Sequence, residues 1–286
     1  MDKIVLNTAH IFIKKKNQKV RDKARELGDF LQSRGVKTFI VEGETKVEEK
    51  PEVVFVLGGD GTFLSASWLY SPLGVPLLGI DMGGLGFLAE ASVENMFQAA
   101  EEVIKGRFEV EKRMMAQCCI THQDGKSDAD FALNDVVVYR GPFAQMIRLS
   151  TYIDGEFLAS FPADGLIVAT PTGSSAYSLS AGGPVLFPGL ELLLITPICA
   201  HTLYARSIVV APSSTIEIVL ESEKEGTMVT LDGQRGYFIK KEERITVARS
   251  TFSAHLVRVD PQRPFYSLLR SKLSWGMDIR KKVEEC

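Results

Sequence analysis

Five apolar positions in a row, Val53-Val54-Phe55-Val56-Leu57, run straight into Gly58-Gly59-Asp60-Gly61-Thr62. An unbroken apolar run of this length predicts a strand buried on both faces. Beyond the glycines, Leu64, Ala66, Trp68 and Leu69 predict a helix with Thr62 as its N-cap. Upstream, Ile4 to Leu6 reads as a short strand. Val20, Ala24, Leu27 and Leu31 then recur at helical spacing until Gly35, and Val36 to Val41 reads as a second strand. The acidic stretch from Glu42 to Lys50 is a loop. Pro76 leads into the strand Leu77-Leu78-Gly79-Ile80, followed by Gly83-Gly84-Leu85-Gly86-Phe87. Val93, Met96, Phe97, Ala100 and Val103 mark one more amphipathic helix, ending near Gly106. Strand alternating with helix predicts an α/β domain with a doubly wound parallel sheet over residues 1–113, with both glycine turns along one edge.

Near Arg113 the helical period disappears. Runs such as Ile147 to Ile153, Leu166 to Thr170, Ile216 to Leu220 and Ile245 to Ala248 predict an all-β domain over residues 114–260. Asp124-Gly125, Asp154-Gly155, Asp164-Gly165 and Asp232-Gly233 read as its turns. The segment 261–286, with Leu268, Leu269 and Leu273, reads as a short helix or tail packing back on the first domain. A small-molecule site is expected in the cleft between the two domains.

Composition narrows the function. The 286 residues include 45% apolar positions, enough for substantial cores, and the formal net charge is only −3. Acids and bases are interspersed, which argues against nucleic-acid and membrane-surface binding. Lys14-Lys15-Lys16 reads as a solvated loop or helix start. Cys118, Cys119, Cys199 and Cys286 form no CxxC pair, so neither a disulfide framework nor a zinc site is expected. With no signal-peptide core and no long apolar span, the expected compartment is the cytoplasm.

The chemistry concentrates at the first glycine turn. Glycines let backbone N–H groups approach a ligand closely, and the following helix start adds partial positive charge, so the turn suits phosphate. Asp60 would repel phosphate unless it faces a hydroxyl or a metal ion. A phosphate cradle with a carboxylate aimed at an accepting hydroxyl is what phosphoryl transfer needs. Taken locally, the same residues also fit a tight turn with Asp60 capping the helix. Position at the carboxyl end of a buried strand favours the ligand-binding reading.

Three later stretches carry candidate binding groups. Asn134-Asp135 interrupts an apolar run and can grip a base edge or sugar hydroxyls; a bulge at a strand start is the alternative. Asp164 through Gly183 is rich in small and hydroxyl residues, predicts the opening of a helix, and offers Tyr177 to stack on a flat ligand. Asp232-Gly233-Gln234 is explained by a hairpin turn, with Gln234 as weak additional evidence. The chain has no G-x-x-x-x-G-K-[ST], so it is not a P-loop protein; without G-x-G-x-x-G a hydride-transfer Rossmann enzyme loses its best support, and without G-x-S-x-G a serine hydrolase is unsupported. His10, His122, His201 and His255 read as ordinary strand or loop histidines.

Together, Gly58-Gly59-Asp60-Gly61-Thr62, Gly84-Leu85-Gly86-Phe87, Asn134-Asp135, the run from Asp164 through Thr172-Gly173-Ser174-Ser175-Ala176-Tyr177 to Gly183, Thr196-Pro197-Ile198-Cys199 with His201-Thr202-Leu203, and Asp232-Gly233-Gln234 resemble the NAD kinase family. The resemblance implies an α/β domain followed by a β-sandwich-like domain. It also implies ATP- and Mg2+-dependent phosphorylation of the 2′-hydroxyl on the adenosine ribose of NAD. Asp60 would orient or accept the proton of that hydroxyl. Gly58, Gly59, Gly61 and Thr62 would hold ATP phosphates. The NAD site would comprise Asp60, Gly61, Phe87, Asn134, Asp135, Asp164, Ser175, Ala176, Tyr177, Ser178, Leu179, Ser180 and Gln234. Magnesium would travel with ATP, with no protein side chain assigned to it, and the assembly would be a homo-oligomer, dimer or tetramer. The chain departs from the pattern at Pro162, where some members carry a basic residue, at Ala200, where proline is common, and at Asp135, where many have Glu. Two other readings compete: a lipid or sugar kinase using the same glycine turn, which would leave Asn134, Asp135 and Tyr177 idle, and a non-catalytic dinucleotide sensor, for which Asp60 has no use.

Overall fold

The computed structural model describes residues 6–14, 18–43, 47–84, 86–141, 146–222, 226–259 and 265–273. Its first strand, β1 (Thr8–Ile13), lies downstream of the Ile4 to Leu6 run; Leu6 is buried ahead of it, and residues 1–5 fall outside the described set. Every position of β1 is buried, including His10. The imidazole breaks the apolar pattern in the sequence, yet Nδ1 shares a 2.9 Å hydrogen bond with the Tyr70 hydroxyl, so its polarity is satisfied inside.

Helix α1 (Gln18–Ser33) buries Val20, Ala24, Leu27 and Leu31, and Gly35 at φ +85° stops it. After β2 (Lys37–Glu42) comes β3 (Val53–Leu57), buried at all five positions. Helix α2 spans Asp60–Tyr70. Its N-cap is Gly59 rather than Thr62, and no side chain caps it. The Gly59 carbonyl already accepts from the Thr62 and Phe63 N–H groups (2.9 and 3.2 Å), which puts Thr62 inside the first turn. Strand β4 (Pro76–Asp81), the two-residue β5 (Ala91–Ser92) and α3 (Met96–Ile104) complete this half. The strands run parallel in the order β2-β1-β3-β4. One face, with Ile11, Phe55 and Ile80, packs on α1 and α3. The other, with Phe12, Val54, Val56 and Leu77, packs on Phe63, Ala66 and Tyr70 of α2.

The remainder is antiparallel: β6 (Glu109–Thr121), β7 (Ser127–Ala132), β8 (Asp135–Tyr139), β9 (Ile147–Ile153), β10 (Glu156–Ala163) and β11 (Gly165–Ala169). The hydroxyl-rich segment then forms only a 3-10 turn at Gly173–Ser175 and the single-turn α4 (Tyr177–Ser180), not a sustained helix. It is followed by β12 (Leu193–Ile198), β13 (Ile208–Val210), β14 (Ile216–Leu220), β15 (Met228–Leu231), β16 (Arg235–Phe238), β17 (Arg244–Arg258) and helix α5 (Phe265–Leu273).

Strand β17 joins the halves. It pairs in parallel with β4 and antiparallel with β6 and β14, so one large sheet continues from the parallel half into the antiparallel half. A second sheet, ordered β13-β12-β11-β8-β15-β16, faces it across a core that includes Ile120, Val136, Leu149, Leu166 and Val247. Asp124-Gly125, Asp154-Gly155 and Asp232-Gly233 do close hairpins. Asp164-Gly165 does not: β10 lies in the large sheet and β11 in the second, so this dipeptide carries the chain from one sheet to the other.

Candidate active site

Strands β3 and β4 end side by side, and the Gly58 N–H donates to the Ile80 carbonyl at 3.0 Å, so the two glycine turns share one end of the sheet. Because the α2 ladder begins at Thr62, the N–H groups of Gly59, Asp60 and Gly61 lie outside it. The half-buried Asp60 carboxylate accepts from the Phe87 N–H through Oδ2 and the Leu88 N–H through Oδ1, each at 3.0 Å. Those amides are presented by a loop wound around Asp81, a residue missed in the sequence. Asp81 Oδ1 accepts from Gly83 and Gly84 (both 2.7 Å) and Oδ2 from Gly86 (2.8 Å). A Cβ on Gly86 would sit 2.1 Å from Asp60 Oδ1, so only glycine lets the two turns meet. Leu85 lies outside the described residues.

The antiparallel half supplies a matching arrangement at the start of β8. The N–H groups of Leu133, Asn134 and Asp135 all donate to the Asp232 carboxylate, at 2.9, 2.7 and 3.2 Å, and the Asp232 N–H returns a 2.9 Å bond to the Asp135 carbonyl. Asp135 is only 4% exposed, and no donor among the described residues reaches its carboxyl. Burial, and then the neighbouring Asp232, pushes the Asp135 pKa up to about 7. Burial pushes Asp232 up to about 6, against the pull of the three amides and Arg235. The Asn134 carbonyl accepts from Thr170 N–H at 2.8 Å, and a Cβ on Gly173 would fall 2.1 Å from that oxygen. Thus the Thr170–Ser175 turn is pressed against Asn134.

The other sequence candidates divide by environment. Asp164 is paired: Arg140 Nε reaches Oδ1 at 2.7 Å, and Arg140 had no distinguishing sequence signal. Ser178 is buried and bonded to Thr196 Oγ1 at 2.9 Å, while Ser175 Oγ donates to the Thr172 carbonyl at 3.2 Å. Ala176 and Leu179 are half-buried and Ser180 is exposed. Tyr177 is 47% exposed. Burial raises its phenol pKa first, followed by Cys199, Asp164, Asp135 and Tyr139, which places Tyr177 within electrostatic reach of both acids.

Gln234 crosses back to the parallel half. Its Nε2 donates to the Gly61 carbonyl at 2.6 Å, and its Oε1 accepts from Ser65 Oγ at 2.5 Å. A cavity of about 490 Å³ is lined by Phe87 and Leu88, whose amides hold Asp60, by Thr172 and Ser175, and by Phe265 and Tyr266 of α5. Its charged wall is a chain of ion pairs that sequence reasoning did not find. Arg113 pairs with Glu111 at 2.7 Å; Arg258 pairs with Glu111 at 2.7 Å and with the buried Glu90 at 2.9 Å. Each arginine is already neutralised, so this wall shapes the cavity without offering a free cation.

The geometry therefore joins a glycine cradle and a fixed carboxylate to Asn134 and the buried Asp135 of the other half, held in place through Asp232. A model of the ATP-NAD kinase N-terminal domain matches residues 4–108, and one of the C-terminal domain matches residues 133–259. The chain belongs to the ATP-NAD kinase family. The NAD kinase of Moorella thermoacetica is 40% identical over 270 residues, covering 90% of this chain and 86% of the relative. That of Geotalea daltonii is 43% identical over 230 residues, covering 80% and 81%. Among solved structures, a yeast NADH kinase complexed with NADH superposes with a TM-score of 0.87 at 25% identity, covering 96% of this chain and 89% of that one. An Archaeoglobus fulgidus NAD kinase in complex with ATP gives 0.77 at 28% identity, covering 94% and 100%. The parallel-sheet half followed by an antiparallel half is the architecture of this family.

Proposed function

We propose that this chain transfers the γ-phosphoryl group of ATP to the 2′-hydroxyl of the adenosine ribose of NAD, giving NADP. The observation that carries the reading is the buried Asp135 carboxyl, which no donor among the described residues reaches, while its backbone is held one hairpin turn away from Gly61. A buried acid without a partner costs free energy unless a ligand supplies one, and a ribose hydroxyl does. Asn134 and Asp135 are assigned to the ribose hydroxyls and their neighbours. Ser175, Ala176, Tyr177, Ser178, Leu179 and Ser180 form the adenine pocket, Phe87 walls it, and Asp164 with Arg140 lies toward the nicotinamide end. Gly58, Gly59, Gly61 and Thr62 cradle the donor phosphates. Asp60, locked by two amides, orients the accepting hydroxyl and takes its proton as the bond to phosphorus forms. A carboxylate is a weak base for an alcohol, so alignment and charge stabilisation on the transferred group supply most of the acceleration.

Magnesium is assigned to the substrate MgATP, where it neutralises phosphate charge. Among the described residues no group of three or more His, Cys, Asp or Glu side chains could hold an ion. The reading includes a cytoplasmic homo-oligomer, dimer or tetramer; the exposed Leu203 and Tyr204 side chains favour association. No helix among the described residues is long and apolar enough to cross a membrane.

The test is direct. Purified protein is incubated with NAD or NADH, ATP or polyphosphate, and magnesium, and NADP(H) is measured. Formation of NADP with ATP supports the reading, and its absence with every pair of substrates rejects it.

A further inference from the structure

We infer that the turn between β15 and β16 is the positioning element of this site, with Gln234 setting the first turn of α2 and Asp232 setting Asn134 and Asp135. The inference rests on the proposed phosphorylation of NAD and names what holds its two halves in register. Asp232 and Gly233 both adopt left-handed backbone angles, φ +53° and +62°. That conformation is costly for Asp232, and its three amide bonds offset the strain. At the root of the turn, Arg235 Nε donates to Asp130 Oδ2 at 2.6 Å and Nη2 to the Phe131 carbonyl at 2.7 Å. The Arg235 guanidinium also lies 4.5 Å over the ring of Trp68, whose Nε1 donates to Asp130 Oδ1 at 2.8 Å. The turn is thus anchored to α2 at its base and to both halves of the site at its tip.

Both ends of the Gln234 amide are engaged, one by the Gly61 carbonyl and one by Ser65. The Gly61 carbonyl, which also accepts from Ser65 Oγ at 3.3 Å and Lys14 Nζ at 3.4 Å, belongs to the Gly61–Thr62 peptide, so holding it fixes the start of α2 directly after the free amides of Gly59, Asp60 and Gly61. A residue acting in this way changes the alignment of reactants more than their affinity. Truncation should then lower turnover without unfolding the chain.

The experiment compares full-length wild type, Gln234→Ala, Ser65→Ala and the double variant, with NAD and MgATP as substrates and thermal unfolding measured in parallel. For Gln234→Ala, kcat is expected to fall about ten-fold, with the KM for NAD within about two-fold of wild type. The unfolding midpoint should stay within about 2 °C of wild type. The double variant should lose less than the two single losses combined, because the side chains share one hydrogen bond and hold the same carbonyl. Asp232→Asn should show the opposite split, with the KM for NAD raised about ten-fold and kcat less affected; if that variant does not fold, the Gln234 and Ser65 pair still decides. An unchanged kcat in Gln234→Ala overturns the inference. So does a loss of activity that tracks a falling unfolding midpoint, which would mark a merely structural contact. If the wild type forms no NADP, the proposed function fails and the inference falls with it; if the wild type is active and Gln234→Ala matches it, the inference alone fails.

Discussion

Asp81 in the parallel half and Asp232 in the antiparallel half do the same job with different consequences. Each carboxylate gathers three backbone amides from one loop. Asp81 is buried at the end of β4 and organises glycines, so its loop is free to press two further amides onto Asp60. Asp232 instead organises an Asn and an Asp whose side chains find no partner among the described residues, and it lies close enough to add to the burial that raises the Asp135 pKa. One half therefore delivers a carboxylate pinned by amides, and the other delivers a carboxyl poised to change protonation. A buried acid that accepts backbone N–H groups is a scaffold; the working acid is the neighbour it positions.

Breaking the first scaffold should have the largest effect. Asp81→Ala strands the buried Gly86 amide, at about 1–3 kcal/mol, and loses the bonds to the exposed Gly83 and Gly84 amides, at about 1 kcal/mol each, so the expected destabilisation is roughly 3–5 kcal/mol, measurable by urea unfolding, with turnover lost as well. Gly86→Ala leaves the scaffold but drives a Cβ against Asp60, which must move. A displacement of that order is expected to cut kcat by about 100-fold while the unfolding midpoint changes far less. The smallest effect sharpens the antiparallel side of the comparison. Asp135 has a pKa raised above that of an ordinary aspartate, so the folded state holds a proton that the unfolded state has released between about pH 4 and 7. The wild type therefore loses stability as pH rises through that window. Asp135→Asn, which does not titrate, should gain stability relative to wild type from pH 4 to 7 and hold that gain above it. Thermal unfolding across pH 4 to 8 checks the sign; a constant difference between the two proteins would contradict it.

Much of this was legible from pattern because the relevant signals were local. The all-apolar β3, the helical spacing of Val20, Ala24, Leu27 and Leu31, and the glycine stops each lie within one element. The errors came where partners are distant. His10 hid β1 because Tyr70, which satisfies it, is sixty residues away. Thr62 read as a cap because nothing local reveals that the helix starts at Asp60. Asp164-Gly165 looked like a hairpin turn, since local sequence does not say that the next strand joins another sheet. The Glu90–Arg258 pair spans 168 residues and the Gln234–Ser65 contact 169, beyond the reach of any periodicity. The candidate acids could be named from their residue types, but the amides that orient them could not.

The most direct test of the account is Asp60→Asn, with NAD binding followed by calorimetry and turnover by NADP formation. The account predicts NAD affinity near wild type and turnover reduced by about 100-fold or more, since the amide keeps the size and one of the two backbone bonds but no longer offers a carboxylate to the hydroxyl. Turnover equal to wild type would contradict it.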